Sequence, residues 1–128
     1  MARRFVELVF DDFVVGRTAV FTPSRFDLLL GSVSRFALHL VADRVSGTGP
    51  GVSVQAQHST DGRILSPMLV GGGSEIPTTP LSTTSTTSIT GYVDYPAGAL
   101  RRVRLQILLD GTNPVARIKL YATGRDRP

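Results

Sequence analysis

The chain has no cysteine and no tryptophan, and among its 128 residues only two histidines, one lysine and two glutamates. Without cysteine there is no disulfide framework, no thiolate zinc site and no thiol nucleophile. His39 and His58 are the only imidazoles left for acid–base or metal chemistry. Glu7 and Glu75, with eight aspartates expected mostly in turns, are a poor source for the carboxylate pair of a glycosidase. Long apolar runs are missing too. Arg3 and Arg4 have the charge that opens a signal peptide, but Glu7, Asp11 and Asp12 interrupt the apolar stretch such a peptide needs, so neither a secretory signal nor a membrane-spanning helix is expected.

The residues that are present fit a soluble globular domain. The composition is 41% hydrophobic and 19% charged. The length suits a single domain over 1–128, able to bury about two-thirds of its unfolded surface without staples. The net charge is only +4, and every basic residue but Lys119 is an arginine. That bias fits a GC-rich genome as well as it fits planar guanidinium contacts. The arginines are scattered, so no nucleic-acid-binding tail is visible.

Alternation with a period of two, broken by 21 glycines and prolines, predicts an all-β chain. Strands are expected at 5–10, 18–21 and 26–30, with Pro23 and Gly31 as punctuation. The clearest central strand is 35–44, with Phe36, Leu38, Leu40 and Ala42 on one face and His39 and Asp43 on the other. In 52–58, Val52, Val54 and Ala56 alternate with Ser53, Gln55 and Gln57. Gly47, Gly49 and Gly51 lie between these two strands and predict a hairpin in which Ala42 pairs with Val52 and Leu40 with Val54.

The same reasoning predicts a closing hairpin over 102–122. Pairing Ile107 with Ile118 and Leu105 with Leu120 leaves Asp110 to Pro114 in the turn. It sets Arg104 opposite Tyr121 and Gln106 opposite Lys119 on the outer face. With Arg102, these form a stripe that reads as a solvated sheet face or as a partner contact. In 78–90, ten of thirteen residues are Ser or Thr. With Gly71, Gly72 and Gly73 before it, this Gly/Ser/Thr/Pro-rich segment at 71–90 is expected to be a loop or arm leading into an exposed strand from Thr83. Thr83 and Thr84 are its candidate contacts, beside the basic Arg3 and Arg4. The fold class expected is all-β: an antiparallel two-sheet sandwich or a jelly-roll-like small barrel.

Catalytic readings are thin. His58, Ser59 and Asp61 are triad residue types, but neighbours on a strand point to opposite faces, and Asp61-Gly62 is better read as a turn. Asp11 and Asp12 diverge on a strand and lack the spaced oxygen ligands of a calcium loop. The glycines of 47–51 and 71–73 lack the Gly-Lys-Ser/Thr and following helix of a phosphate loop. No enzyme activity, cofactor or metal is therefore expected. Nucleic-acid binding is disfavoured, because most of the six phenylalanines occupy apolar strand positions.

The segment Val52-Ser53-Val54-Gln55-Ala56-Gln57-His58-Ser59-Thr60-Asp61-Gly62-Arg63, an alternating strand ending in Ser-x-Asp-Gly, resembles a phrase of small β-sandwich proteins in tailed bacteriophages. With the length and the Ser/Thr-rich loop, the chain is similar to capsid decoration, or cementing, proteins and related minor virion proteins. The resemblance implies a non-enzymatic structural role: binding and stabilising a capsid surface, often as a homo-oligomer. It implies location in the virion after assembly in the host cytoplasm, with the capsid or another virion protein as partner and no membrane. The alternative is a ligand-binding β-sandwich module, carbohydrate foremost, using Tyr92, Tyr95 or Tyr121 as stacking platforms.

Overall fold

The computed structural model describes residues 4–26, 30, 33–59, 66–67, 76–94 and 102–126. Among the described residues seven strands run in chain order: β1 (Arg4–Val15), β2 (Thr18–Phe21), β3 (Val33–Ser59), β4 (Ser66–Pro67), β5 (Ile76–Pro80), β6 (Thr87–Asp94) and β7 (Arg102–Asp126). Every pairing is antiparallel. The strand at 18–21 lies where alternation places it; of the one expected at 26–30 only the two ends are described, and neither is extended. Ser24–Phe26 is a turn of 3-10 helix, and Leu30 is helical in backbone and buried.

Two strands organise the molecule. β3 and β7 are 27 and 25 residues long and pair with each other from Val33↔Asp126 to Ser59↔Arg102. Midway, both bend together, and the register shifts three times between Asp43 and Gly51. The bend divides each strand between two layers. In the first layer β6 pairs with 35–42 of β3, which pairs with the C-terminal half of β7, which pairs with β1. In the second, β5 and β4 pair with 51–58 of β3, which pairs with the N-terminal half of β7, which pairs with β2. The result is an antiparallel two-layer β-sandwich of jelly-roll type.

The two expected hairpins are therefore absent. Ala42 pairs with Ile118 and Leu40 with Leu120, while Val52 pairs with Leu109 and Ile107 with Val54. The glycine-rich stretches read as hairpin loops are bends within continuous strands. Their glycines are needed because the two bends touch backbone to backbone. A Cβ on Gly47 would lie 2.8 Å from the Asn113 carbonyl oxygen, and one on Gly111 would lie 2.9 Å from that of Gly49. Both have positive φ, at 108° and 123°.

The predicted inside and outside faces survive this change of partners. Leu38, Leu40, Ala42, Val52, Val54 and Ala56 are all at most 1% exposed, as are Val103, Leu105, Ile107 and Leu109. With Ile118, Leu120 and Ala122 they form one core. The apolar sets assigned to facing strands of one hairpin face each other across the sandwich instead. At the end of β2, Thr22 is buried and extends the ladder: the Leu105 N–H donates to Thr22 Oγ1 at 3.1 Å, and the Thr22 N–H donates to the Leu105 carbonyl at 3.0 Å.

The segment expected as a loop or arm is built into the sandwich where it is described. β5 lies on β3, and the Leu81 N–H donates to the Pro50 carbonyl at 2.9 Å. β6 then pairs with β3 over eight residues. Its threonines are β-branched and suit a pleated surface with one polar face, so the expected strand forms, though from Thr87 and not from Thr83. No helix among the described residues is long and apolar enough to cross a membrane.

Candidate interaction surfaces

Because β3 and β7 pair with each other, the predicted stripe is divided between two opposite outer faces. Arg104 pairs with Gln57, in the second layer. Tyr121 pairs with His39 and Leu8, in the first. Arg102 lies with Arg104, and Lys119 lies with Tyr121. Arg104 is therefore not opposite Tyr121, nor Gln106 opposite Lys119. The difference arises at Asp110, where alternation and glycine predict a turn: because the strand continues through it, its two halves enter different layers.

The first outer face carries Ala37, His39, Val41 and Asp43 of β3 and Arg117, Lys119, Tyr121 and Thr123 of β7. His39 lies on the polar side of its strand, as alternation requires. Its Nε2 is 2.6 Å from Ser88 Oγ, and its ring stacks on Tyr121 with centroids 6.0 Å apart. An extra residue in β1, between Leu8↔Tyr121 and Phe10↔Leu120, buries Val9 and resets the alternation. Consequently Val6, Leu8, Phe13 and Val15 all stand on this outer face and are exposed, Val15 by 69%. Alternation within 5–10 could not disclose them, although apolar residues at both parities of β1 are a visible sign.

Asp11 and Asp12 diverge as consecutive strand residues. Asp11 pairs in register with Lys119 but bonds Arg117 at 3.2 Å; Asp12 pairs with Ile118, on the inward side of this edge strand, and accepts the Phe13 N–H. Among the described residues no group of three or more His, Cys, Asp or Glu is placed to hold a metal ion.

The second outer face carries Ser53, Gln55 and Gln57 of β3 and Arg102, Arg104, Gln106 and Leu108 of β7. Gln57 Nε2 donates to Gln106 Oε1 at 3.2 Å. Phe21 pairs with Gln106 and Ala19 with Leu108, so Phe21 and Leu108 are diagonal neighbours, 41% and 42% exposed. Thr83 and Thr84 are exposed in the loop between β5 and β6. There Ser82 Oγ accepts the N–H groups of Thr84 and Ser85, each at 3.2 Å. Arg4 begins β1, in register with Arg125. Arg3, Tyr95 and the Thr60-Asp61-Gly62-Arg63 turn lie outside the described residues, as do the 71–73 glycines and the side chain of His58.

Two concavities accompany these faces. A groove of about 340 Å³ at the bend is lined by Gly49, Pro50, Thr78, Pro80, Leu81 and Asp110. A smaller one, about 230 Å³, runs along the β1 bulge past Asp11, Asp12, Pro23 and Arg25.

Compared by sequence, the chain matches no protein-family model and no curated protein. Compared by fold, it is similar to the CBM22-1 and GH10 modules of Clostridium thermocellum xylanase 10B, with TM-score 0.61 and 13% identity over 98% of this chain and 25% of that one. The CBM22-1 xylan-binding domain of Paenibacillus barcinonensis Xyn10C gives 0.56 and 10% identity over all of this chain and 86% of that one. Infectious bursal disease virus, Gx strain, gives 0.58 and 13% identity over 95% of this chain and 32% of the viral chain. The chain thus spans about a quarter of the xylanase protein and a third of the viral one. A chain of that virus and xylan-binding domains thus share this fold with it.

Proposed function

We propose that the chain is a non-enzymatic structural protein of a virus particle that binds and stabilises a capsid surface, as phage decoration proteins do. The observation that carries this reading is the second outer face. Phe21 and Leu108 sit side by side there, about two-fifths exposed; Leu108 is flanked by Ala19 and Ser53, Phe21 by Gln106, and Gln55 and Arg104 lie on the same face. Exposed apolar side chains beside Arg and Gln are a combination that protein contacts use. The virion fold neighbour supports it at the level of architecture. The test is to mix the purified protein with undecorated heads assembled from the major capsid protein of the same genome and image them by cryo-electron microscopy. Added density on the shell, lost with Phe21→Ser and Leu108→Ser, is expected. Bare shells at every protein concentration would refute the reading.

The second reading, a carbohydrate-binding module, is favoured by the Tyr121–His39 stack beside Ser88 on the opposite face, where a sugar ring would find an aromatic surface and a hydroxyl. Retention on insoluble xylan that disappears with Tyr121→Ala would select it instead.

A further inference from the structure

The C-terminal half of β7 carries a basic run with a ring in its middle. Its outward residues are Arg117, Lys119, Tyr121, Thr123 and Arg125, and Ile118, Leu120 and Ala122 between them are buried. Beside them β3 sets Arg35, Ala37, His39, Val41 and Asp43 on the same outer face. The far end of this face is a rung of arginines. Arg4 of β1 is in register with Arg125, Arg35 lies next to Arg125 across a register shift, and Asp94 of β6 is in register with Arg35. Like charges set directly opposite, as Arg4 and Arg125 are, destabilise a sheet. An anion bound across the rung removes that cost.

Over the whole face the register places five basic residues and three acidic ones, an excess of two on a chain of net charge +4. The acids stand at its margins: Asp11 on β1, Asp94 on β6 and Asp43 next to the bend. Arg117 takes Asp11, and Lys119 is left without an ion-pair partner among the described residues. Between Lys119 and the arginine rung lies the ring pair. Tyr121 is in register with His39, the rings are 28° apart in plane, and Ser88 Oγ holds the exposed imidazole by its Nε2. A platform already fixed costs little to order when a ligand arrives.

We propose that this face binds single-stranded nucleic acid, with bases stacked on Tyr121 and His39 and phosphates along Lys119, Arg125 and Arg35. A single strand offers bare base faces joined by regularly spaced anions, and an open four-stranded sheet with cations on both sides of a ring pair is complementary to both. A duplex hides its base faces, and a neutral sugar has no use for the arginine rung. Nine residues of about 3.3 Å each make a strip of about 30 Å. That is room for about four nucleotides, the low end of single-strand sites. The stacking surface is tyrosine and histidine, so the packing of Phe10 and Phe26 against the core does not weaken it. The inference goes beyond the virion reading, which rests on the opposite outer face, and competes with the xylan reading for Tyr121.

Fluorescence anisotropy with labelled oligothymidylate and oligouridylate of about 12 nucleotides tests it, the two probes separating DNA from RNA. Three phosphate contacts give a log–log salt slope of about −2 for a single strand, so affinity is expected to fall about twentyfold between about 50 and 200 mM salt. Lys119→Gln and Arg125→Gln should each weaken binding and flatten that slope by about 0.7. Tyr121→Ala should weaken binding at least about fivefold with the slope unchanged, whereas Tyr121→Phe, which keeps the ring, should stay within about twofold. No binding of either strand by about 100 µM protein at the lower salt would overturn the proposal. So would a duplex of equal length bound as tightly, or affinity indifferent to Tyr121→Ala. Displacement by polygalacturonate as effective as by unlabelled oligonucleotide at equal charge would also overturn it, in favour of an acidic glycan. Thermal melts of each variant separate loss of binding from loss of folding.

Discussion

Replacing Gly47 with alanine tests whether the bends are structural joints. The new Cβ would sit 2.8 Å from both the Asn113 carbonyl oxygen and Pro114 Cα, where backbone lies on backbone and no side chain can swing away. Its φ of 108° is also outside the left-handed region that alanine tolerates at moderate cost. The backbone strain costs about 1–3 kcal/mol. Forced separation of the two strands adds about 1–3 kcal/mol. The sum, about 2–6 kcal/mol, is a large share of the roughly 5–15 kcal/mol that holds a domain together. At about 3–5 °C per kcal/mol for this size, the melting temperature should fall by roughly 6–30 °C. Gly49→Ala is the matched control. It lies two residues away, with φ 61° and nothing within 4 Å of its Cβ, so only about 1 kcal/mol is expected. Urea unfolding of both variants measures the difference. Equal, small losses would mean that Gly47 lies in a solvated loop, and the folded double strand would be wrong.

Further perturbations probe other joints. Thr22→Val keeps the shape but removes the acceptor for the buried Leu105 N–H, so a loss of about 1–3 kcal/mol is expected, with faster hydrogen exchange at that amide. Ser82→Ala frees the two N–H groups that cap the loop between β5 and β6 and should cost about 1 kcal/mol in a thermal melt. Leu40→Ala, at a fully buried core position, should cost about 2–5 kcal/mol by the same measure. Arg17→Ala breaks an ion pair whose side chains are 75% and 45% exposed; a change within about 0.5 kcal/mol is expected, and a larger one would show that the Asp110 bend depends on it.

The inside and outside of each strand were legible in the sequence because a period of two is a local property. Leu38, Leu40 and Ala42 point inward whichever strand lies beside them. The choice of partner was not legible. Gly47 and Gly111 give the same signal in a hairpin loop and in a bend within a strand, and only the distant segment each one touches separates the two. That ambiguity also misplaced the site. Arg104 and Tyr121 have the parity assigned to them, but the bend sends them to opposite sides of the domain. Phe13 and Val15 were hidden for a different reason: one bulge residue, Val9, reverses the parity of everything after it.

Since β3 and β7 run together from Val33↔Asp126 to Ser59↔Arg102, the molecule is one long two-stranded ribbon folded across its middle, and the other strands line its two margins. Such a ribbon has to be zipped before it can be creased. The chain between Ser59 and Arg102 carries β4, β5 and β6 along one margin, and loop entropy grows only slowly with length, so an insertion in the loop between β5 and β6 should be tolerated better than any change at the crease. Contacts between residues so distant in the chain also place folding in the slow regime of milliseconds to seconds, roughly, as for other sandwiches. The crease holds the two layers in one cooperative unit, so a partner that grips either outer face restrains both.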